Sequence, residues 1–307
     1  MDSVQWLRDW AGVDLPARAP VSRPFRRTPP DSSLDKESFS LLVVLLLERL
    51  AASHPCPRTR GQAAGWAFLA RSALRGEQSK SCFINAIFPH TYRERTFTIV
   101  SGAVRRDKHP DPSKRRPRPF WAVVDSILHG DAVRRALVDS LAGAEAVGCI
   151  LRDTDSPNGD PTRSTVWLSA PLSSPARMDA SLHAVLRAAG VPPDVAARIH
   201  SHGCKRFTQN VCESDPSLGT QDAAEVGRFS GSTAQFPDLE PTAAMLRQHE
   251  LRSAVLPGIY AGKSCVLKVF DRLAAAHLAM ERVALQSIQD PSFPPLPFLD
   301  GWELFWR

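Results

Sequence analysis

The run Leu41-Leu-Val-Val-Leu-Leu-Leu47 is seven apolar residues long and is closed by Glu48 and Arg49. A span of the bilayer core needs about 20 apolar residues, so this run predicts no membrane crossing. Its apolar character does not alternate and leaves no polar stripe. The pattern therefore predicts a helix from about Lys36 to Ser53 that is buried nearly all round, a central element with others packed on several sides.

Other elements follow from periodicity. Beyond the breaker His54–Pro57, Trp66, Leu69, Ala70, Ala73 and Leu74 fall on one helical face, predicting a helix that ends near Arg75-Gly76. Thr96-Phe-Thr-Ile-Val100 alternates apolar and polar residues, and Phe120-Trp-Ala-Val-Val124 is a second strand candidate. The basic, proline-rich stretch from Arg105 to Pro119 then becomes the long loop of a hairpin. Helices are expected over Asp131–Ala142, after a cap at Asp179 with a stop at Gly190, and over Lys263–Gln289. Asp222 and Glu225 read as the capping box of a short helix. His277 falls in the apolar seam of the last helix, as a partly buried structural histidine. The expected class is mainly α with a small antiparallel β-sheet, α+β.

Three segments are expected. Residues 1–54 form a Pro/Arg-rich flexible arm followed by the buried helix, 55–289 the main domain, and 290–307 a tail rich in proline and aromatic residues. Such a tail has to dock on its own body or on a neighbour.

Charge is concentrated. The formal net charge of +6 is carried entirely by residues 93–118, where nine Lys/Arg face three acids. Arg105, Arg106, Lys114, Arg115, Arg116 and Arg118 supply much of it. A neutral body with one basic segment points to contact with a polyanion, DNA in this reading, or to a nuclear-import signal in Lys114–Arg118.

The six cysteines, Cys56, Cys82, Cys149, Cys204, Cys212 and Cys265, show no paired spacing. The N-terminus mixes Asp2, Arg8 and Asp9 with apolar residues, unlike a secretory leader. Reduced thiols and an intracellular location, nuclear if the source is eukaryotic, are expected. His200-Ser-His202-Gly-Cys204 with Cys212 lacks the spacing of a zinc site, so no metal is expected.

Four motifs occur in order: Ala73-Leu-Arg75-Gly-Glu77, Ser201-His202-Gly-Cys-Lys205-Arg206-Phe207, Val226-Gly-Arg228-Phe-Ser230-Gly-Ser-Thr233, and Leu256-Pro-Gly-Ile-Tyr260-Ala-Gly. Together with the basic hairpin, this order resembles the catalytic domain of the tyrosine recombinase (phage integrase-like) family, nearest to the divergent recombinases of eukaryotic mobile elements. The resemblance covers roughly residues 55–285 and implies a recombinase-like catalytic domain that cleaves and rejoins DNA through a 3′-phosphotyrosyl intermediate. It makes Arg75 the first phosphate-binding arginine, Lys108 the hairpin lysine with Arg105 and Arg106 as competitors, His202 the box histidine and Tyr260 the nucleophile. Lys205 stands where the box arginine belongs, with Arg206 beside it, and Arg228 stands where the turn histidine belongs. Glu77 is one position nearer Arg75 than the family pattern has it. The resemblance implies no cofactor, and assembly as a multimer on DNA with the aromatic tail as docking element.

Two rivals stand beside it: a catalytically decayed DNA-binding remnant of a mobile element, and a helical interaction protein whose basic segment is an import signal. Tyrosine is scarce, with Tyr92 and Tyr260 alone in the chain, so a phenolic nucleophile has two candidates.

Overall fold

The computed structural model describes residues 39–104, 118–142, 150–156, 158–208 and 264–289. All of these belong to the unit that begins at Glu37. They form a mixed α and β structure with a small antiparallel sheet.

Helix α1, Leu41–Ser53, is capped by Ser40, whose hydroxyl accepts from the Val43 amide at 3.3 Å. Val43 to Leu47 are all at most 4% exposed, as an apolar run without a polar stripe requires. Helix α2, Pro57–Arg71, starts on a proline, whose fixed φ suits the first helical position. It packs closely because two of its residues are glycine. A Cβ at Gly61 would stand 2.6 Å from Ser140 Cβ, and one at Gly65 would stand 2.7 Å from Leu151 Cδ2. α1 and α2 share one core with Val133 and Leu137 of α3, Ala132–Leu141, and with Leu182, Val185 and Leu186 of α4, Pro175–Ala188. The boundary expected at residue 54/55 therefore runs through the middle of a packed core.

Inside that core Glu48 and Arg71 pair with each other. The second Glu48 oxygen accepts from the Ile127 amide at 2.7 Å, and Arg71 also donates to the Asp125 carbonyl. A charge buried this deeply is tolerable only when paired and hydrogen-bonded.

The main sheet has the order β1-β2-β3, all antiparallel: β1 Cys82–Tyr92, β2 Arg95–Val104, β3 Arg118–Val123. The pairing of Val104 with Arg118 makes residues 105–117 the connection between two paired strands, in line with the expected long-loop hairpin. β1 has no counterpart in the sequence reading. It carries Pro89 and an irregularity around Asn85, between Ile84 and Ala86, and both suit an edge strand. Arg93 and Glu94, at φ +47° and +63°, form the two-residue turn from β1 to β2.

Strands β4, Arg152–Thr154, and β5, Trp167–Pro171, form a second, two-stranded sheet. α4 is capped by Ser174 rather than by Asp179, which lies inside the helix; Pro175 at its first position marks the true start. Gly190, at φ +87°, follows its end, and α5 covers Pro193–Arg198. The last helix, α6, Ser264–Gln289, lies on the main sheet. Phe270 stacks edge-on against Phe88 and Trp121, with ring centres 5.4 and 5.9 Å apart. His277 is 2% exposed, more deeply buried than the pattern suggested.

Among the described residues no helix is long and apolar enough to cross a membrane. The arm, the Asp222–Glu225 box and the aromatic tail lie outside the described residues.

Candidate functional site

Arg75 is not at the end of a helix. α2 stops at Arg71, and Ala73, at φ +50°, turns the chain. Arg75 then caps a 3-10 turn over Gly76–Lys80. The turn closes reciprocally: the Arg75 amide donates to Gln78 Oε1 at 2.8 Å, and the Gln78 amide donates to the Arg75 carbonyl at 2.9 Å. That bonding occupies the Arg75 backbone, and the residue is half-buried.

Ser201–Arg206 form a second 3-10 turn, where the sequence suggested the opening of a helix. It is tied from both sides. Asp179 Oδ1 accepts from the Ser201 amide at 2.8 Å, and His200 Nδ1 donates to Asp179 Oδ2 at 3.1 Å. On the other side the Cys204 thiol donates to the Leu74 carbonyl at 3.2 Å, and Thr208 Oγ1 donates to the Ala70 carbonyl at 2.8 Å. Burial pushes the Cys204 thiol up to about 12, so it stays protonated and serves as packing rather than as a nucleophile or metal ligand. Among the described residues no group of three His, Cys, Asp or Glu side chains could hold a metal ion.

The two turns touch. A Cβ at Gly76 would lie 3.3 Å from Ser201 Cβ and 3.4 Å from Met178 Sδ. The Arg75 motif and the His202–Lys205 motif, 127 residues apart from Arg75 to His202, thus meet through small residues at the surface of the core. His202 is exposed and Lys205 partly so.

The same region adjoins one end of the main sheet. Cys82, seven residues after Arg75, pairs with Val104, and Val104 pairs with Arg118. The basic connection therefore leaves and re-enters the sheet at the end into which the Arg75 turn feeds. α6 packs Phe270 on Phe88 and His90 and His277 on Phe97, and pairs Glu281 with Arg95. Its later residues His277 and Met280 line a small cavity with Arg71 and Thr208. Glu281 is kept near 2: burial alone would raise its carboxyl, but His277 and Arg95 outweigh that.

Of the residues expected to form the site, Arg75, His202 and Lys205 are described, and their turns are brought together. Arg118 begins β3 and Arg206 closes the second turn; only their backbones are described. Tyr260, Lys108, Arg228, Arg105, Arg106, Lys114, Arg115 and Arg116 lie outside the described residues. Tyr92, the other tyrosine, sits at the β1–β2 turn under the Arg93 guanidinium, 5.2 Å from its ring centre. That turn is the far end of the sheet from the Arg75 turn.

Sequence reasoning missed Asp179 as a partner of the second turn. Its only local signal was the Asp179/His183 pair one helical turn apart, which predicts a shared face but not what that face touches. No protein-family model matches the chain, and no curated protein or solved structure matches it either.

Proposed function

We propose that this chain cleaves and rejoins DNA strands, as in site-specific recombination or integration, through a 3′-phosphotyrosyl intermediate at Tyr260. The observation that carries the reading is the contact between the Arg75 turn and the Ser201–Arg206 turn, beside the sheet end that bears the basic connection. Two of the motifs that suggested a recombinase, 127 positions apart from Arg75 to His202, are in contact. In the sequence Tyr260 stands four positions before Ser264, the start of α6, the order expected of a nucleophile that precedes the last helix.

In this reading the scissile phosphate is held by Arg75, by Lys205 with Arg206, and by Arg228. The phenol oxygen of Tyr260 forms a bond to phosphorus and gives up its proton, while the bond from phosphorus to the 5′ oxygen breaks. Lys108 supplies a proton to that leaving oxygen, supported by His202. Rejoining runs the same steps backward with another 5′ hydroxyl. A phenol with a pKa of about 10 is a weak nucleophile at neutral pH, so the cations serve two ends: they stabilise the phenolate and the charge gathering on the pentavalent phosphorus. An arginine holds two phosphate oxygens as a fork, whereas Lys205 offers a point charge, so Arg75 carries most of the orientation.

The experiment is incubation with a nicked suicide DNA substrate, which loses a short leaving strand and traps the covalent complex. A denaturation-resistant adduct is expected, lost in Tyr260→Phe and kept in Tyr92→Phe. DNA binding with no adduct on any substrate would replace this reading with that of a decayed DNA-binding remnant.

A further inference from the structure

We propose that Asp179 is a positioning residue of the site, setting where His202 and Lys205 stand relative to Arg75. The inference rests on the recombinase reading above.

α4 is fixed in the core by Met178, Leu182, Val185 and Leu186, all fully buried. From that rigid helix two adjacent side chains reach the two turns. Met178 Sδ lies under Gly76, 3.4 Å from where a Cβ would be, and Asp179 holds the start of the Ser201–Arg206 turn. Both carboxylate oxygens of Asp179 are engaged, one by the Ser201 amide at 2.8 Å and one by His200 Nδ1 at 3.1 Å. His183, one helical turn further, donates from Nε2 to the Ile199 carbonyl at 2.8 Å, and its ring lies edge-on to that of His200, 6.1 Å away. Residues 199, 200 and 201 are thus each tied to one face of one helix.

The first amides of any helical turn lack internal partners, and His200, at the cap position, provides no side-chain cap. Asp179 supplies the missing acceptor from a distant element. Burial acts to raise its carboxyl, but the hydrogen bonds from Ser201 and the neighbouring His200 hold it below the ordinary carboxylate range. It therefore stays charged at neutral pH, and hydrogen bonds to a charged group are the stronger kind. His202 follows Ser201 directly and Lys205 lies on the next turn, so a shift at Ser201 carries both along. Misplacement by about 1 Å costs as much as ~100-fold in rate.

The test compares single-turnover cleavage of the suicide substrate by the full chain and its variants. Asp179→Ala is expected to slow cleavage by about 10- to 100-fold, while the apparent DNA affinity changes less than about twofold, since Lys205 is displaced and not removed and the phosphate contacts outside this turn are kept. Asp179→Asn, whose amide oxygen still accepts from Ser201, should recover most of the rate. Hydrogen exchange at the Ser201 amide should accelerate in the alanine variant and not in the asparagine variant. If Asp179→Ala does not fold, His200→Gln removes half the clamp and should slow cleavage without changing affinity. A wild-type rate in the alanine variant, or in His200→Gln where that variant stands in for it, overturns the role of Asp179 and leaves the recombinase reading intact. A wild-type chain that forms no adduct overturns that reading, and the positioning role with it.

Discussion

Glu48→Gln should destabilise the chain more than almost any other single-atom-scale change. In the folded state Arg71 and Glu48 are 4% and 0% exposed and pair with each other, while the second Glu48 oxygen accepts from the Ile127 amide. Glutamine keeps the shape and one acceptor, but it removes the negative charge and turns an NH2 group toward Arg71 or Ile127, both donors. Leaving one partner of a buried pair uncompensated costs about 3–5 kcal/mol, against a total of about 5–15 kcal/mol for a typical domain. Urea unfolding followed by circular dichroism measures the loss as a lowered midpoint at unchanged slope. The double variant Glu48→Leu/Arg71→Met removes both charges, and only the Ile127 amide and the Asp125 carbonyl lose partners. It should therefore be no less stable than Glu48→Gln alone. A loss below about 1 kcal/mol for Glu48→Gln, within the range of exposed pairs, would refute the claim that this pair is a buried, dry contact.

Two further outcomes follow. His277 is held below its ordinary value of 6.5, chiefly by burial and further by Arg71, with Glu281 acting in the opposite sense. The unfolded chain then binds a proton that the folded one does not, so stability is full above pH 6.5 and falls as pH drops below it. His277→Gln should flatten the stability–pH curve just below 6.5, leaving the part due to His129, which burial also lowers. Replacing Lys114, Arg115 and Arg116 with alanine should reduce the slope of log K against log salt for duplex DNA by about 2.7, if each makes one phosphate contact; an unchanged slope would remove the basic segment from the DNA contact.

Local pattern reached the elements whose cause is local. The run Leu41–Leu47 could only be buried, and α1 is buried. The alternation at Thr96–Val100 and the apolar Phe120–Val124 became neighbouring strands, and the seam from Val266 to Ala284 became α6. Where the cause was tertiary, or punctuation was missing, the reading failed. α2 ends at Arg71 because Ala73 takes a left-handed conformation that glycine would have signalled and alanine does not. β1 hid behind Asn85 and Pro89, tolerated there because, among the described residues, no strand pairs on its outer side. The Asp179 cap failed for another reason: Ser174-Pro175 was the stronger start signal, and the carboxylate was committed to Ser201, 22 residues away. The adjacency of the Arg75 and Ser201–Arg206 turns was legible only as motif order, since no local period encodes a contact across more than a hundred residues.

Whether Tyr260 becomes covalently joined to DNA is read by mass spectrometry of the trapped complex after protease and nuclease digestion. Because Tyr92 and Tyr260 are the chain's two tyrosines, the assignment is binary. A 3′-phosphonucleotide is expected on the peptide containing Tyr260 and none on the peptide containing Tyr92. A nucleotide on Tyr92, on a serine, or on no residue of the chain would contradict attachment at Tyr260.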